Sequence, residues 1–207
     1  MPIFSESLRT DVLTWLETHV PEARRHHILR VEAMARQLAA DHGVDQERAA
    51  WAGVLHDLAK CFQPARLLAM ARAAGLPLDP VDEANPHLLH AEVGAIVARD
   101  RFGVTDSQVL AAIANHTLGR PGMDALSCVV FLADSLEPGR GDSPQLRRLR
   151  QLSHQNLVAA VAQTCDESIR KLIDKHRLIH PRTVLTRNWF WQASRQSTLL
   201  PSAWLSA

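Results

Sequence analysis

Trp51-Ala-Gly-Val-Leu-His-Asp-Leu-Ala-Lys60 is an apolar, helix-forming run interrupted by two adjacent metal-competent side chains, His56 and Asp57. An imidazole and a carboxylate taken out of water lose several kcal/mol, roughly, unless they are paired, hydrogen-bonded or metal-bound. An HD pair on the solvent side of an amphipathic helix is the ordinary alternative. The spacing argues against it, because Ala52, Leu55 and His56 fall near one another on the helix surface and put His56 close to the core side.

The flanking sequence is helical in character nearly throughout. Alanine, leucine, glutamine and arginine dominate, tyrosine is absent, and no convincing alternation of apolar and polar residues marks a strand, so an all-α fold is expected. Helices are predicted from about Ser7 to His19 and from Glu22 to Asp41. The second carries His27, Val31, Met34, Ala35 and Leu38 on one face and stops at Gly43. Asp45 caps a third, reaching about Lys60, and Pro64 opens a fourth that ends near Gly75. Leu76 to Pro86, with three prolines, reads as a loop with room for one short turn, able to act as a lid. Helices from Leu88 to Phe102 and from a cap at Thr105 or Asp106 to His116 follow, then a loop from Thr117 to Met123. Cys128-Val-Val-Phe-Leu132 has strand character, but no partner strand exists elsewhere, so Asp124 to Leu136 is assigned as a buried helix. A long helix from about Ser153 to His176 and a shorter one from Thr183 to Ser194 are expected at the end.

At 207 residues one domain is the simplest organisation, here residues 1–195, with core motifs in 24–140, C-terminal helices in 145–195 and a loosely held tail over 196–207. A formal net charge of +1 provides no global field for nucleic acid or an anionic membrane, and no basic stripe with interleaved aromatics appears. No signal-like start or spanning run of roughly 18 apolar residues is present. Cys61, Cys128 and Cys165 fit neither a disulfide framework nor a zinc ribbon, which makes a reducing cytoplasm the expected compartment. Trp189-Phe-Trp191 is read first as a core cap and second as a homodimer contact.

Eleven histidines are many for this length, and several sit inside apolar-periodic segments. His27, His56-Asp57, His90, His116 and Asp134 lie on five separate helices, the pattern of a catalytic site inside a bundle rather than of a zinc finger. His19 reads as structural, and His26, His42, His87, His154, His176 and His180 as surface or loop residues.

That order resembles the HD-domain metal-dependent phosphohydrolases. Arg24-x-x-His27-x-x-x-Val31, Gly53-Val-Leu-His-Asp-Leu-Ala-Lys60, Leu89-His-Ala-Glu-Val-Gly94, Ala114-Asn-His-Thr-Leu-Gly-Arg-Pro-Gly-Met123 and Phe131-Leu-Ala-Asp-Ser-Leu-Glu-Pro-Gly-Arg140 are similar to the motifs of the YqeK family within them. The resemblance, covering Arg24 to Trp189, implies an HD-domain helical bundle with its metal site between helices and symmetrical hydrolysis of diadenosine tetraphosphate into two ADP. It implies His27, His56, Asp57 and Asp134 as ligands to one iron ion, with His90 and His116 available to a second ion bridged by Asp57. It also implies Lys60, His90, His116, Thr117 and Arg140 along the substrate phosphates. Where the family carries an aromatic residue before the first ligand, this chain has Arg25-His26, and the spacing to Val31 selects His27. The stretch Lys171 to Thr183 matches a C-terminal motif that helps enclose the nucleotide in family members.

The residue chemistry agrees with that implication. Mixed imidazole and carboxylate donors suit iron, manganese, cobalt or zinc better than magnesium or calcium, and such an ion both acidifies water and polarises a phosphoryl oxygen. Lys60, Arg140, Arg24 and Arg120 are assigned to neutralise polyphosphate charge, and His90 or His116 to protonate the leaving oxygen, with Asp57, His90 and His116 as the catalytic set. Gly119, Pro121, Gly122, Pro138 and Gly139 shape tight turns that could also bring backbone N–H groups to phosphate. Two other readings stand beside this one: an HD phosphohydrolase of a mononucleotide or a (p)ppGpp-like alarmone, and a non-catalytic nucleotide sensor. The second conflicts with retention of every costly buried ligand.

Overall fold

The computed structural model describes residues 5–195, which form eleven α-helices and no strand. The expected tail over 196–207 lies outside the described residues. α1 (Glu6–His19) is capped by Ser5, and α2 (Glu22–Asp41) follows Pro21. α3 (Gln46–Leu55) starts at Asp45, whose carboxylate accepts from the N–H groups of Glu47 and Arg48 at 2.9 Å. Four N–H groups at a helix start need partners outside the helix, and the Asp45 carboxylate accepts from two of them.

α3 ends at Leu55, five residues short of the expected Lys60. Beyond it the chain tightens into turns, with the N–H groups of Leu58, Lys60 and Phe62 bonded three residues back. His56 and Asp57 therefore stand in a turn that closes a helix, not on a helix face. α2 and α3 approach so closely that a Cβ on Gly53 would lie 2.9 Å from the Glu32 Cα, so only glycine fits there.

α4 (Pro64–Ala73) begins with proline at its first turn. The expected loop over 76–86 contains a short helix, α5 (Pro80–Ala84), held by a capping box between Asp79 and Asp82. A 3₁₀ turn over Pro86–Leu89 leads into α6 (His90–Phe102), which stops at left-handed Gly103. α7 (Ser107–Asn115) is capped by Asp106. α8 (Ala125–Leu136) is helical as assigned, with Asp124 accepting from Ser127 N–H, and it runs through the centre of the molecule against α2, α3 and α7.

The long helix expected over 153–176 is two helices. α9 (Pro144–Gln155) starts at Ser143-Pro144, and α10 (Leu157–Asp174) starts at Asn156. Asn156 adopts an extended backbone and its side chain accepts from Ala159 N–H, a local capping bond that competes successfully with helix continuation. α11 (Pro181–Arg195) packs back on α10, and both α9 and α10 pack on α8. Phe190 is fully buried at this seam, in line with a core-capping role for the 189–191 run, while Trp189 and Trp191 pack at the edge of the core.

His180 is buried rather than on the surface. Its Nε2 lies 3.3 Å from Asp82 of α5, and its Nδ1 accepts from Arg182 N–H, tying the start of α11 to the segment that delivers His90. No described helix is long and apolar enough to cross a membrane.

Candidate metal centre

Five elements bring their ends to one point. α2 presents His27 from its second turn, the turn after α3 presents His56 and Asp57, α6 begins with His90, α7 is closed by His116, and the last turn of α8 carries Asp134. His27, His56, Asp57, His90 and His116 are all buried, and Asp134 is partly buried.

Asp57 is central. Its Oδ2 lies 3.3 Å from His56 Nε2 and 3.8 Å from His27 Nε2, and its Oδ1 lies 3.4 Å from His90 Nε2 and 3.8 Å from His116 Nε2. Asp134 Oδ1 closes the first group, 3.0 Å from His27 Nε2 and 3.8 Å from His56 Nε2. In the second group the Nε2 atoms of His90 and His116 are 3.0 Å apart.

The outer ring nitrogens explain why three of the four Nε2 atoms face inward. His56 Nδ1 bonds to Gly53 C=O at 2.7 Å, His116 Nδ1 to Ile113 C=O at 2.7 Å, and His90 Nδ1 to His87 C=O at 2.5 Å. A carbonyl can only accept, so each Nδ1 carries the proton and each Nε2 keeps its lone pair. His56 Nε2 is fully buried and has no hydrogen-bond partner. An orphaned buried lone pair beside two carboxylates fits a divalent metal ion, and histidine ligands are commonly oriented through the other nitrogen in this way.

The charges bear out that fit. Burial works against a charged His56, but Asp57 and Asp134 outweigh it and raise its pKa above the ordinary 6.5. Burial likewise opposes ionised Asp57 and Asp134, yet the surrounding imidazoles, together with Arg140 at Asp134, hold both carboxyls well below the usual range. His116 is pushed down to about 3 by burial and by His56 and His90. Burial also lowers the Lys60 ammonium.

The cationic residues lie around the same point. Arg24 reaches Asp57 Oδ2 at 2.9 Å, and Arg140 reaches Asp134 through both its carboxylate and its C=O. Lys60 Nζ sits 3.2 Å from His90 Nε2, and Thr117 Oγ1 lies 3.2 and 3.0 Å from the Nε2 atoms of His90 and His116. Arg24, Arg30, Lys60 and Arg140 line a cavity of about 480 Å³ that opens beside His27. Arg120 is exposed on the Thr117–Met123 loop and has no ion pair among the described residues, so the structure does not bring it into the cluster. From the late motif, Arg182 reaches Glu92 on α6 rather than the cluster.

Two residues at the site carry no assignment from the sequence, Glu137 and Arg30. Glu137 is buried, 3.0 Å from His27 Nδ1, and bonded by Arg30. Its place in the Asp134-Ser-Leu-Glu137 string was the available signal, since it falls one helical turn beyond a candidate ligand.

Comparison with known proteins agrees with this geometry. Residues 24–139 match the HD domain. The chain is 33% identical to the symmetrical bis(5'-nucleosyl)-tetraphosphatase of Bacillus subtilis (strain 168) over 186 residues, 90% of this chain and 99% of that one. It is 30% identical to the protein of the same name in Staphylococcus aureus (strain NCTC 8325 / PS 47), over 83% of this chain and 88% of that one. A crystal structure from Clostridium acetobutylicum, described as an HD superfamily hydrolase involved in NAD metabolism, superposes with a TM-score of 0.86 at 33% identity, covering 91% of this chain and 98% of that one. With its histidines and aspartates gathered at one buried point within the matched region, the chain belongs to the HD-domain family.

Proposed function

We propose that this protein is a metal-dependent hydrolase that splits diadenosine tetraphosphate symmetrically into two ADP. The observation that carries the reading is the juxtaposition of two imidazole–carboxylate groups, joined through Asp57, with a cavity bearing four cationic side chains. A tetraphosphate needs both an electrophile-activating centre and an array of cations along its chain. The relatives similar over most of this chain's length carry that activity in their names.

His27, His56, Asp57 and Asp134 would hold the ion, and His90 and His116 would hold a second one with Asp57 between them. Iron is our reading of the metal, from the resemblance of the motifs. When bound, such an ion supplies Lewis acidity at a phosphoryl oxygen and water acidified toward neutral pH. Lys60, Arg24 and Arg140 bind the phosphate oxygens and offset the charge that builds on the departing ADP. Water adds to one of the two inner phosphorus atoms, its P–O bond to the central bridging oxygen breaks, and that leaving oxygen, now on the second ADP, takes a proton. Burial holds His116 neutral, so with no second ion bound, a proton taken up at Nε2 of His90, which faces Lys60 and Thr117, would be the one passed to the leaving oxygen. Arg120 would engage substrate only if its loop closes over the cavity.

Metal-loaded protein incubated with diadenosine tetraphosphate is expected to release ADP as the main product. Formation of AMP and ATP instead, or turnover confined to mononucleotides or guanosine alarmones, would overturn the proposal.

A further inference from the structure

Three of the four clustered histidines are oriented by a carbonyl three residues earlier in their own helix or turn. His27 is the exception. Its Nδ1 lies 3.0 Å from Glu137 Oε1, a carboxylate 110 positions away in the chain. The carbonyl three residues before His27 belongs to Arg24, inside the first turns of α2. Orientation of this ring is thus delegated to a separate element.

Glu137 is well equipped for that task. It follows the last residue of α8 and is buried to 1% exposure. Arg30 Nε donates to Oε2 at 2.5 Å, Arg30 Nη2 approaches Oε1 at 3.5 Å, and Gly139 N–H donates to Oε2 at 2.6 Å. Both oxygens are therefore fixed, and Oε1 can only accept from His27. Arg30 is one turn beyond His27 on α2, so the carboxylate straps two positions of α2 to the end of α8. The fit around this strap is close: a Cβ on Gly139 would lie 2.6 Å or less from the Arg30 guanidinium.

We propose that Glu137, clamped by Arg30 and Gly139, is a positioning residue that holds the His27 proton on Nδ1 and aims the Nε2 lone pair at Asp57 and Asp134. A carboxylate behind a ligating imidazole fixes its tautomer and strengthens it as a donor, and loss of such a partner typically lowers metal affinity about 10–100-fold. The inference rests on the reading of His27 as a metal ligand. It adds to that reading a residue that touches neither ion nor substrate.

The test uses Mn²⁺ as probe, with affinity measured by competition against a chelator, and nitrogen NMR of the histidine rings in metal-free protein. Wild-type His27 is expected with its proton on Nδ1. Glu137→Ala is expected to weaken Mn²⁺ binding about 10–100-fold and to move the His27 proton toward Nε2. Glu137→Gln, which keeps one accepting oxygen but sets an NH2 against either Arg30 Nε and Gly139 N–H or His27 Nδ1, is expected to recover only part of the affinity. Wild-type His27 protonated on Nε2 would overturn the proposal even if the alanine variant failed to fold, and so would Mn²⁺ affinity unchanged in Glu137→Ala. His27→Ala separates the two ideas: if it leaves Mn²⁺ affinity intact, the ligand reading of His27 is what fails.

Discussion

Asp57 turns one carboxylate oxygen to within 3.4 Å of His90 while the other faces His56 at 3.3 Å. A single side chain thereby serves both halves of the cluster, and no neighbouring carboxylate can replace it. Of the four histidines, Asp134 meets only His27 and His56.

Asp57→Asn should therefore cost more than loss of an orienting group. The amide keeps the shape but removes the charge that offsets up to four imidazoles and Arg24. Activity is expected to fall by more than the roughly 100-fold seen when an outer partner is lost, with metal content falling in parallel. Metal analysis of the purified variant beside an ADP-release assay checks this. A variant that keeps full metal content and rate would remove Asp57 from the centre.

Acid should strip the metal before it unfolds the chain. In the metal-free protein the raised His56 pKa means that its proton stabilises the fold below 6.5, and that stabilisation is lost as pH rises through the raised value. Metal requires the neutral ring, so proton and ion compete for the same lone pair. The gap in Tm between Mn²⁺-loaded and chelator-treated protein is expected to narrow as pH falls through this window. Asp57 and Asp134 behave in the opposite sense. Their depressed pKa values contribute stability above the ordinary 3.8, lost only as pH falls through much lower values. Thermal scans from roughly pH 8 to 5 cover the first transition; a constant gap over that range would contradict the competition.

How far the site is legible in the sequence depends on the reach of each interaction. The bounds of α2 follow from Pro21 and a one-sided apolar face, and the helical state of α8 follows from the lack of any partner strand. His56-Asp57 stands out because a costly pair interrupts an apolar run. Local pattern gives Glu137 only its one-turn spacing from Asp134 and gives His180 nothing, because their partners His27 and Asp82 lie 110 and 98 positions away. Asn156 misleads for a different reason: its helix penalty is small, and only its capping bond to Ala159 ends α9 and starts α10. The turn after α3 is hidden because Leu58 and Ala59 continue an apolar run that helix and turn can both bury.

Arg150 of α9 braces the segment that carries Glu137 and Arg140. Its Nε donates to Leu136 C=O at 2.7 Å, and its Nη2 donates to Gly141 C=O at 2.7 Å and to Glu137 C=O at 3.2 Å. A planar guanidinium can satisfy three carbonyls in one plane, which an ammonium cannot. Arg150→Ala leaves those acceptors without their donor and is expected to cost about 1–3 kcal/mol, read as a lower urea midpoint. Arg150→Lys should recover little of it. Because the loosened segment also holds the residues that orient His27 and contact Asp134, kcat/KM should fall in both variants at temperatures where they remain fully folded. Loss of stability with an unchanged kcat/KM would show that α9 supports the fold without setting the geometry of the centre.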